Sequence, residues 1–301
     1  MADISVKLFG QKLNTPLIVA SGTFGYGDEY DFIDTASIGA FCTKGLSLDP
    51  REGNPTPRIV ETEYGMINSV GLQNVGVKRF LEEKLPEIKK LNMKVIVNFF
   101  GNTEQEYLRL AEMLDGVKEV FALEMNVSCP NVEKCGLAFG QDPKTLSRIT
   151  AAVKSKTSKP LIVKLTPNVT DITEIAKAAE GAGADAVSMI NTIKAMAIDI
   201  KTGKPILGNI TGGLSGKAVK PVAVRCVYET AKAIKIPIIG LGGIYTAEDV
   251  IEFFMAGASA VQVGSAIFSD PDVCKKICSD LKDYCNNNKI KKLDDIRGSA
   301  L

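Results

Sequence analysis

From about residue 94 onward, short apolar runs alternate with stretches whose apolar residues recur every three or four positions. These are the periodicities of buried strands and of amphipathic helices. The runs KVIVNFFG (94–101), FALEMNVSCP (121–130), PLIVKLTPN (160–168), ADAVSMINT (184–192), IPIIGLGGI (236–244) and AVQVGSAIF (260–268) predict strands. TEQEYLRLAEML (103–114), DPKTLSRITAAVKS (142–155), DITEIAKAAEGAG (171–183), AVKPVAVRCVYETAKAI (218–234), TAEDVIEFFMAGA (246–258) and DPDVCKKICSDLKDY (270–284) predict helices between and after them. Several helix starts carry caps: Thr246 has Asp249 three residues on, and Asp142 and Asp270 each precede a proline suited to the first helical position. PLIVASG (16–22) and FCTKGLS (41–47) bring the strands to eight, the number that closes a (β/α)8 TIM barrel of the α/β class. An open doubly wound sheet is the alternative, but it usually shows GxGxxG after its first strand, where this chain reads SGTFGYGDEY.

The expected architecture is therefore one barrel domain over residues 1–301, with ISVKLFGQKLN forming an N-terminal hairpin across its bottom. Two segments exceed the minimal unit. Residues 48–75 and 193–216 are long, rich in Gly, Pro and Asn, and follow strand ends. In a barrel, such βα loops lie over the active-site face, so both are candidate covers for a substrate.

Composition narrows the chemistry. With 36 Lys and Arg against 35 Asp and Glu, the net charge is +1, which provides no field to attract nucleic acid or anionic lipid. The seven cysteines are scattered, without CxxC spacing, which argues against a disulfide framework, a metal site or an iron–sulfur site. No apolar run reaches membrane-spanning length and the N-terminus lacks a signal pattern, so a soluble cytoplasmic protein is expected. The chain contains no histidine. Proton transfer near neutral pH must then fall to Cys, Lys, a perturbed carboxylate, Tyr or a cofactor.

Polar residues gather at the expected C-terminal strand tips, where barrel enzymes place their catalysts. Ser21, Lys44, Asn98, Asn126, Ser128, Cys129, Lys164, Asn191 and Thr192 are the candidates. Any one of them could be a cap or a solvated loop residue, but a ring of lysines and asparagines around one mouth exceeds what packing requires. Gly242–Gly243 and Gly264–Ser265 leave small residues and backbone N–H groups after the last two strands, as either a phosphate site or simple tight turns need. Cys129, before Pro130, is a strand-end thiol; Cys42, Cys226, Cys274, Cys278 and Cys285 read as buried structural ones, and Cys135 as a loop thiol. Lys44 and Lys164 could each form a Schiff base or supply fixed positive charge, and the pattern does not separate these uses.

TPLIVASGTFGYG, TKGLS, GNPTPRIVETEYGMINSVGLQNVG, EMNVSCPN, FGQDP, VKLTPNVTDI, MINT, NITGGLSG, IGLGGI and AGASAVQVGSAIF follow one another in this order over almost the whole chain. In these motifs the chain resembles the class 1 dihydroorotate dehydrogenases, most closely the class 1B catalytic subunit. The resemblance implies an FMN-dependent oxidation of dihydroorotate to orotate in pyrimidine biosynthesis. FMN would then be touched by Ser21, Lys44, Gly45, Asn98, Asn126, Lys164, Ile190, Gly216, Gly242, Gly243, Gly264 and Ser265, the last four around its phosphate. Substrate would be held by Lys44, by Asn68, Ser69, Val70, Gly71 and Leu72, and by Asn126, Asn191 and Thr192. Cys129 would be the general base and no metal would take part. The resemblance further implies a homodimeric core within a heterotetramer, whose second subunit carries FAD and a 2Fe–2S cluster and passes electrons to NAD. The chain itself has no cysteine cluster for iron–sulfur and no dinucleotide fingerprint, so NAD reduction would require such a partner.

Two features depart from the family pattern: NFFGN after the third strand is bulkier than usual, and Cys135 stands where glycine is more common. Competing readings are a flavin-dependent dehydrogenase of uracil- or thymine-type dihydropyrimidines, a Schiff-base lyase, and a non-catalytic binding barrel. Lys44 speaks against the first, because a neutral base offers no carboxylate to pair with it.

Overall fold

The computed structural model describes residues 2–27, 34–127 and 136–301. Eight parallel strands close into a barrel: β1 (Leu17–Val19), β2 (Ala40–Cys42), β3 (Val95–Phe99), β4 (Val120–Asn126), β5 (Leu161–Leu165), β6 (Ala186–Met189), β7 (Ile238–Leu241) and β8 (Ala260–Val263). Each strand pairs with its sequence neighbour among the eight, and β8 pairs with β1. Strands β3 and β5 are buried at every position, as expected where a parallel sheet is covered on one side by helices and filled on the other by its own side chains.

The outer layer includes α1 (Glu104–Asp115), α2 (Pro143–Lys154), α3 (Ile172–Gly181), α4 (Lys220–Ala231), α5 (Ala247–Met255) and α6 (Val273–Asn287). In α1 the buried residues Tyr107, Leu110, Ala111 and Leu114 recur at three- and four-residue steps, so one stripe faces the sheet. Thr103 starts that helix by accepting from the Glu106 N–H, Asp142 caps α2 ahead of Pro143, and Thr246 with Asp249 forms a full capping box on α5. No helix among the described residues is long and apolar enough to cross a membrane.

The N-terminal hairpin, Val6–Leu8 with Gln11–Leu13, forms as expected. It lies at the N-terminal ends of the barrel strands: Phe9 packs on Phe121 near the start of β4, and Lys94, just before β3, donates to Gln11.

Three local expectations are corrected. The run expected as strand over 260–268 ends at Val263, and Ala266–Ser269 is a helical turn. Asp270 does not cap the last helix: α6 begins at Val273 after Asp272, while Asp270 closes the preceding turn and pairs with Lys276 at 2.6 Å. A helical run after β2, Val77–Arg79 continuing through a π-helical segment Phe80–Lys84 to Leu85–Lys90, was not anticipated.

The two long segments are more ordered than loops. Ile59–Thr62 and Gly65–Asn68 form a hairpin, Gly65–Asn68 pairs with Thr211–Ser215, and Thr211–Ser215 pairs with Ile193–Met196, giving a four-stranded antiparallel sheet. Segments 145 residues apart in sequence, as at Asn68 and Gly213, thus stitch together over the barrel mouth. Gly65 permits the crossing, because a Cβ there would collide with the Ser215 carbonyl oxygen.

Candidate active site

A cavity of about 330 Å³ opens at the C-terminal ends of the barrel strands, beneath this antiparallel sheet. That is the face on which barrel enzymes assemble their sites, and the volume falls in the range of small-molecule pockets. Its floor and walls come from all eight strands: Ser21 after β1, Lys44 and Gly45 after β2, Asn98 on β3, Asn126 on β4, Lys164 on β5, Ile190 to Thr192 after β6, Gly242 and Gly243 after β7, and Gly264 and Ser265 after β8. Met66, Asn68, Leu214, Ser215 and Gly216 come from the cover.

The sequence-expected residues distribute clearly around this space. Ser21, Lys44, Gly45, Asn98, Asn126, Lys164, Ile190, Gly216, Gly242, Gly243, Gly264 and Ser265 all line the cavity, as do Asn68, Val70, Gly71, Leu72, Asn191 and Thr192. Ser69 does not. It turns away from the cavity, fully buried, and takes a 2.9 Å hydrogen bond from the Asn54 side chain. Cys129, with Ser128 and Cys135, lies outside the described residues. Asn191 Nδ2 stands 3.5 Å from Asn126 Oδ1, so the amide at the end of β4 and the one just after β6 share one wall.

Sequence reasoning missed the residues underneath. Glu124, in the middle of β4, is fully buried inside the barrel. Its Oε1 accepts from Asn98 Nδ2 at 2.7 Å and from the Cys42 thiol at 3.3 Å, and stands 3.5 Å from Lys164 Nζ. Its Oε2 accepts from Gln262 Nε2 at 2.7 Å and Ser188 Oγ at 2.9 Å. Donors on β2, β3, β5, β6 and β8 can reach one carboxylate on β4 only because the sheet is closed. Burial pushes the Glu124 carboxyl up, but the Lys164 ammonium and the hydrogen bonds from Gln262, Asn98 and Ser188 outweigh it and hold it below the ordinary carboxylate value. The Cys42 thiol is pushed well above its usual value, by burial first and by the Glu124 charge second, so it is a protonated donor here and not a nucleophile.

The structure separates the two lysines that the sequence left alike. Lys164 is nearly buried and paired with Glu124. Lys44 also lines the cavity, yet it makes no ion pair among the described residues. A half-buried cation without a counter-charge at a cavity wall is suited to an anionic group of a ligand.

The bulky Phe99–Phe100 pair does not crowd the site. Phe99 packs edge-on to Tyr107, with ring centroids 6.0 Å apart. Phe100 lies behind Gly45, where a Cβ would come within 2.9 Å of Asn98 Oδ1 and 3.3 Å of the Phe100 ring. Glycine at position 45 is what lets Asn98 and the phenyl ring share that wall.

The family model described as dihydroorotate dehydrogenase matches residues 3–285. The chain belongs to the dihydroorotate dehydrogenase family. It is 53% identical over 300 residues to "Dihydroorotate dehydrogenase B (NAD(+)), catalytic subunit" of Geotalea uraniireducens, covering 99% of this chain and 98% of that one. The protein of the same description from Geobacter metallireducens is 53% identical over 298 residues, again covering 99% and 98%. These relatives agree with the class 1B resemblance of the motifs. Among solved structures, the "ligand-free type DHODH" of Eimeria tenella superimposes with a TM-score of 0.82 at 23% identity, covering 99% of this chain and 91% of that one, a likeness in fold.

Dihydroorotate dehydrogenases depend on a flavin, and the cavity fits one by two independent signs. Asn98 Oδ1 and Gln262 Oε1 are buried acceptors on its wall without a hydrogen-bond partner among the described residues. Such groups cost free energy unless a ligand supplies the donor. At Gly264 a Cβ would meet nothing closer than Ala20 at 3.6 Å, and at Gly22 nothing within 4 Å, so the backbone there borders open space that a ligand can approach closely.

Proposed function

We propose that this protein oxidises dihydroorotate to orotate in pyrimidine biosynthesis, with FMN as the bound flavin and Cys129 as the general base. The observation that carries the substrate assignment is Lys44, an uncommitted cation sharing a cavity with the amides of Asn68, Asn126 and Asn191. A carboxylate-bearing ring with alternating N–H and C=O groups matches that set; a neutral dihydropyrimidine leaves the lysine unpaired.

Lys44 binds the substrate carboxylate, and the amides with Thr192 orient the ring. The cover sheet excludes water from above. Gly242, Gly243, Gly264 and Ser265 leave backbone N–H groups for the cofactor phosphate, and Tyr245 steadies Ser265, their hydroxyl oxygens 3.4 Å apart. Lys164 would supply a positive charge to the bound flavin, favouring its anionic reduced form. When bound, the flavin supplies the two-electron acceptor for the hydride leaving C6 of dihydroorotate. Cys129 takes the proton from C5.

The description of the relatives as a catalytic subunit supports a second subunit for this chain as well. In this reading that subunit carries FAD and a 2Fe–2S cluster and passes electrons to NAD, with a homodimer of this chain at the core of a heterotetramer. The decisive experiment is anaerobic mixing of the flavin-loaded chain with dihydroorotate. The visible flavin band should bleach at once, with dihydrouracil leaving it intact; an unchanged band with dihydroorotate would refute the assignment.

A further inference from the structure

Glu124 makes no contact with the cavity, yet it is bonded to three residues that do. Asn98, Lys164 and Gln262 line the cavity; the two amides donate to its carboxylate and the ammonium pairs with it. An ionised carboxylate can only accept. Its two oxygens therefore dictate which end of each amide points inward: both NH2 groups turn to Glu124, and both carbonyl oxygens are left unpartnered at the cavity wall. The same carboxylate holds the Lys164 ammonium 3.5 Å away. Ser188 and Cys42 complete its coordination from below without touching the cavity.

We infer that Glu124 is a positioning residue for the flavin site, which turns the Asn98 and Gln262 carbonyl oxygens toward the ligand and offsets part of the Lys164 charge. The inference rests on reading the cavity as the flavin site. It gives the buried network a functional consequence: the hydrogen-bond polarity of two walls, and the net charge felt by the cofactor, are set by one carboxylate beneath them. A neutral amide in its place must turn its own NH2 toward a donor, so at least one of Asn98 and Gln262 has to flip and present N–H to the cavity. The Lys164 charge would then stand without its counter-ion and favour the anionic, reduced flavin over the oxidised one.

The test compares the full-length chain with Glu124→Gln, measuring flavin affinity by fluorescence titration of the deflavinated protein and the two-electron reduction potential by dye equilibration. Glu124→Gln should bind oxidised flavin at least tenfold more weakly. Its reduced-to-oxidised binding ratio should rise at least tenfold, a positive shift of about 30 mV for a two-electron couple. Lys164→Met and the double variant Glu124→Gln/Lys164→Met guard against a single variant that fails to fold, since removing both charges of a buried pair is tolerated better than removing one. Lys164→Met, which leaves the carboxylate uncompensated, should lower the potential, and adding Glu124→Gln should raise it back. If wild type binds flavin while Glu124→Gln keeps its affinity within twofold and its potential within about 9 mV, or Lys164→Met and the double variant share one potential, the inference is overturned. If wild type takes up no flavin, the reading of the cavity fails first and the inference falls with it.

Discussion

At the level of single residues, the site depends on how charges are paired. Lys164 is paired with Glu124 in the barrel interior, whereas Lys44 lines the cavity without an ion pair among the described residues. Replacing Lys44 with Met removes one charge-assisted contact, a loss of about 2 kcal/mol or about thirtyfold in affinity. We expect KM for dihydroorotate to rise by that order while the flavin stays bound; an unchanged KM would show that the lysine does not meet the substrate. Cys129→Ala should abolish dihydroorotate oxidation and leave the protein yellow. A thiol with a reference value near ~8.5 is mostly protonated at neutral pH, so the wild-type rate of flavin reduction should climb toward alkaline pH, checked by stopped-flow across pH 6 to 9. The polarity at residue scale was legible only in part. Asn98, Asn126, Lys44 and Lys164 announce themselves at strand ends, but Glu124 and Gln262 sit inside the apolar runs FALEM and AVQVG. A lone charged or amide residue within a fully buried strand was the available signal, since such a group persists only with partners.

At the level of elements, the barrel helices were readable because local chemistry and burial agree. Thr246 and Asp249 satisfy orphan N–H groups at the start of α5, whose buried face includes Val250, Ile251, Phe253 and Phe254. Thr246→Ala should cost about 1 kcal/mol, lowering the melting temperature by about 2 °C in a thermal scan. No loss would mean that Asp249 alone, anchored by Lys220 at 2.7 Å, secures the turn. Asp270–Pro271 misled because the same cap-and-proline signature also fits a tight connection between two helical pieces, and only packing chooses between them. The cover strands were illegible for a different reason. Ile59–Thr62 and Ile193–Met196 hold only exposed and half-buried positions and carry glycine- and proline-rich flanks, so their apolar contrast is weak. Their order comes from pairing with distant segments, which local sequence does not encode.

At the level of the whole molecule, closure of the barrel brings five strands' donors onto Glu124, and this couples stability to pH. The folded carboxyl is held below its unfolded value, so its contribution is fully present above about pH 4.3 and is lost as pH falls through the lower folded value. Urea midpoints measured from pH 7 down to pH 3 should therefore fall more steeply for wild type than for Glu124→Gln on the acid side; parallel curves would contradict the ionised assignment. The variant should also start lower at neutral pH, by about 3 kcal/mol, because the Lys164 ammonium loses its buried partner.

The chain's own pattern determined the eight strands, most of the helices and the polar strand tips, because short continuous apolar runs and repeats of about 3.6 residues are local properties that burial then reinforces. Which tips share a cavity, which lysine is spent on a carboxylate and which remains open to a ligand were decided by tertiary structure. The reason is geometric: only when β8 meets β1 do side chains from opposite strands converge on one axis, and the charges they bring can be balanced only there.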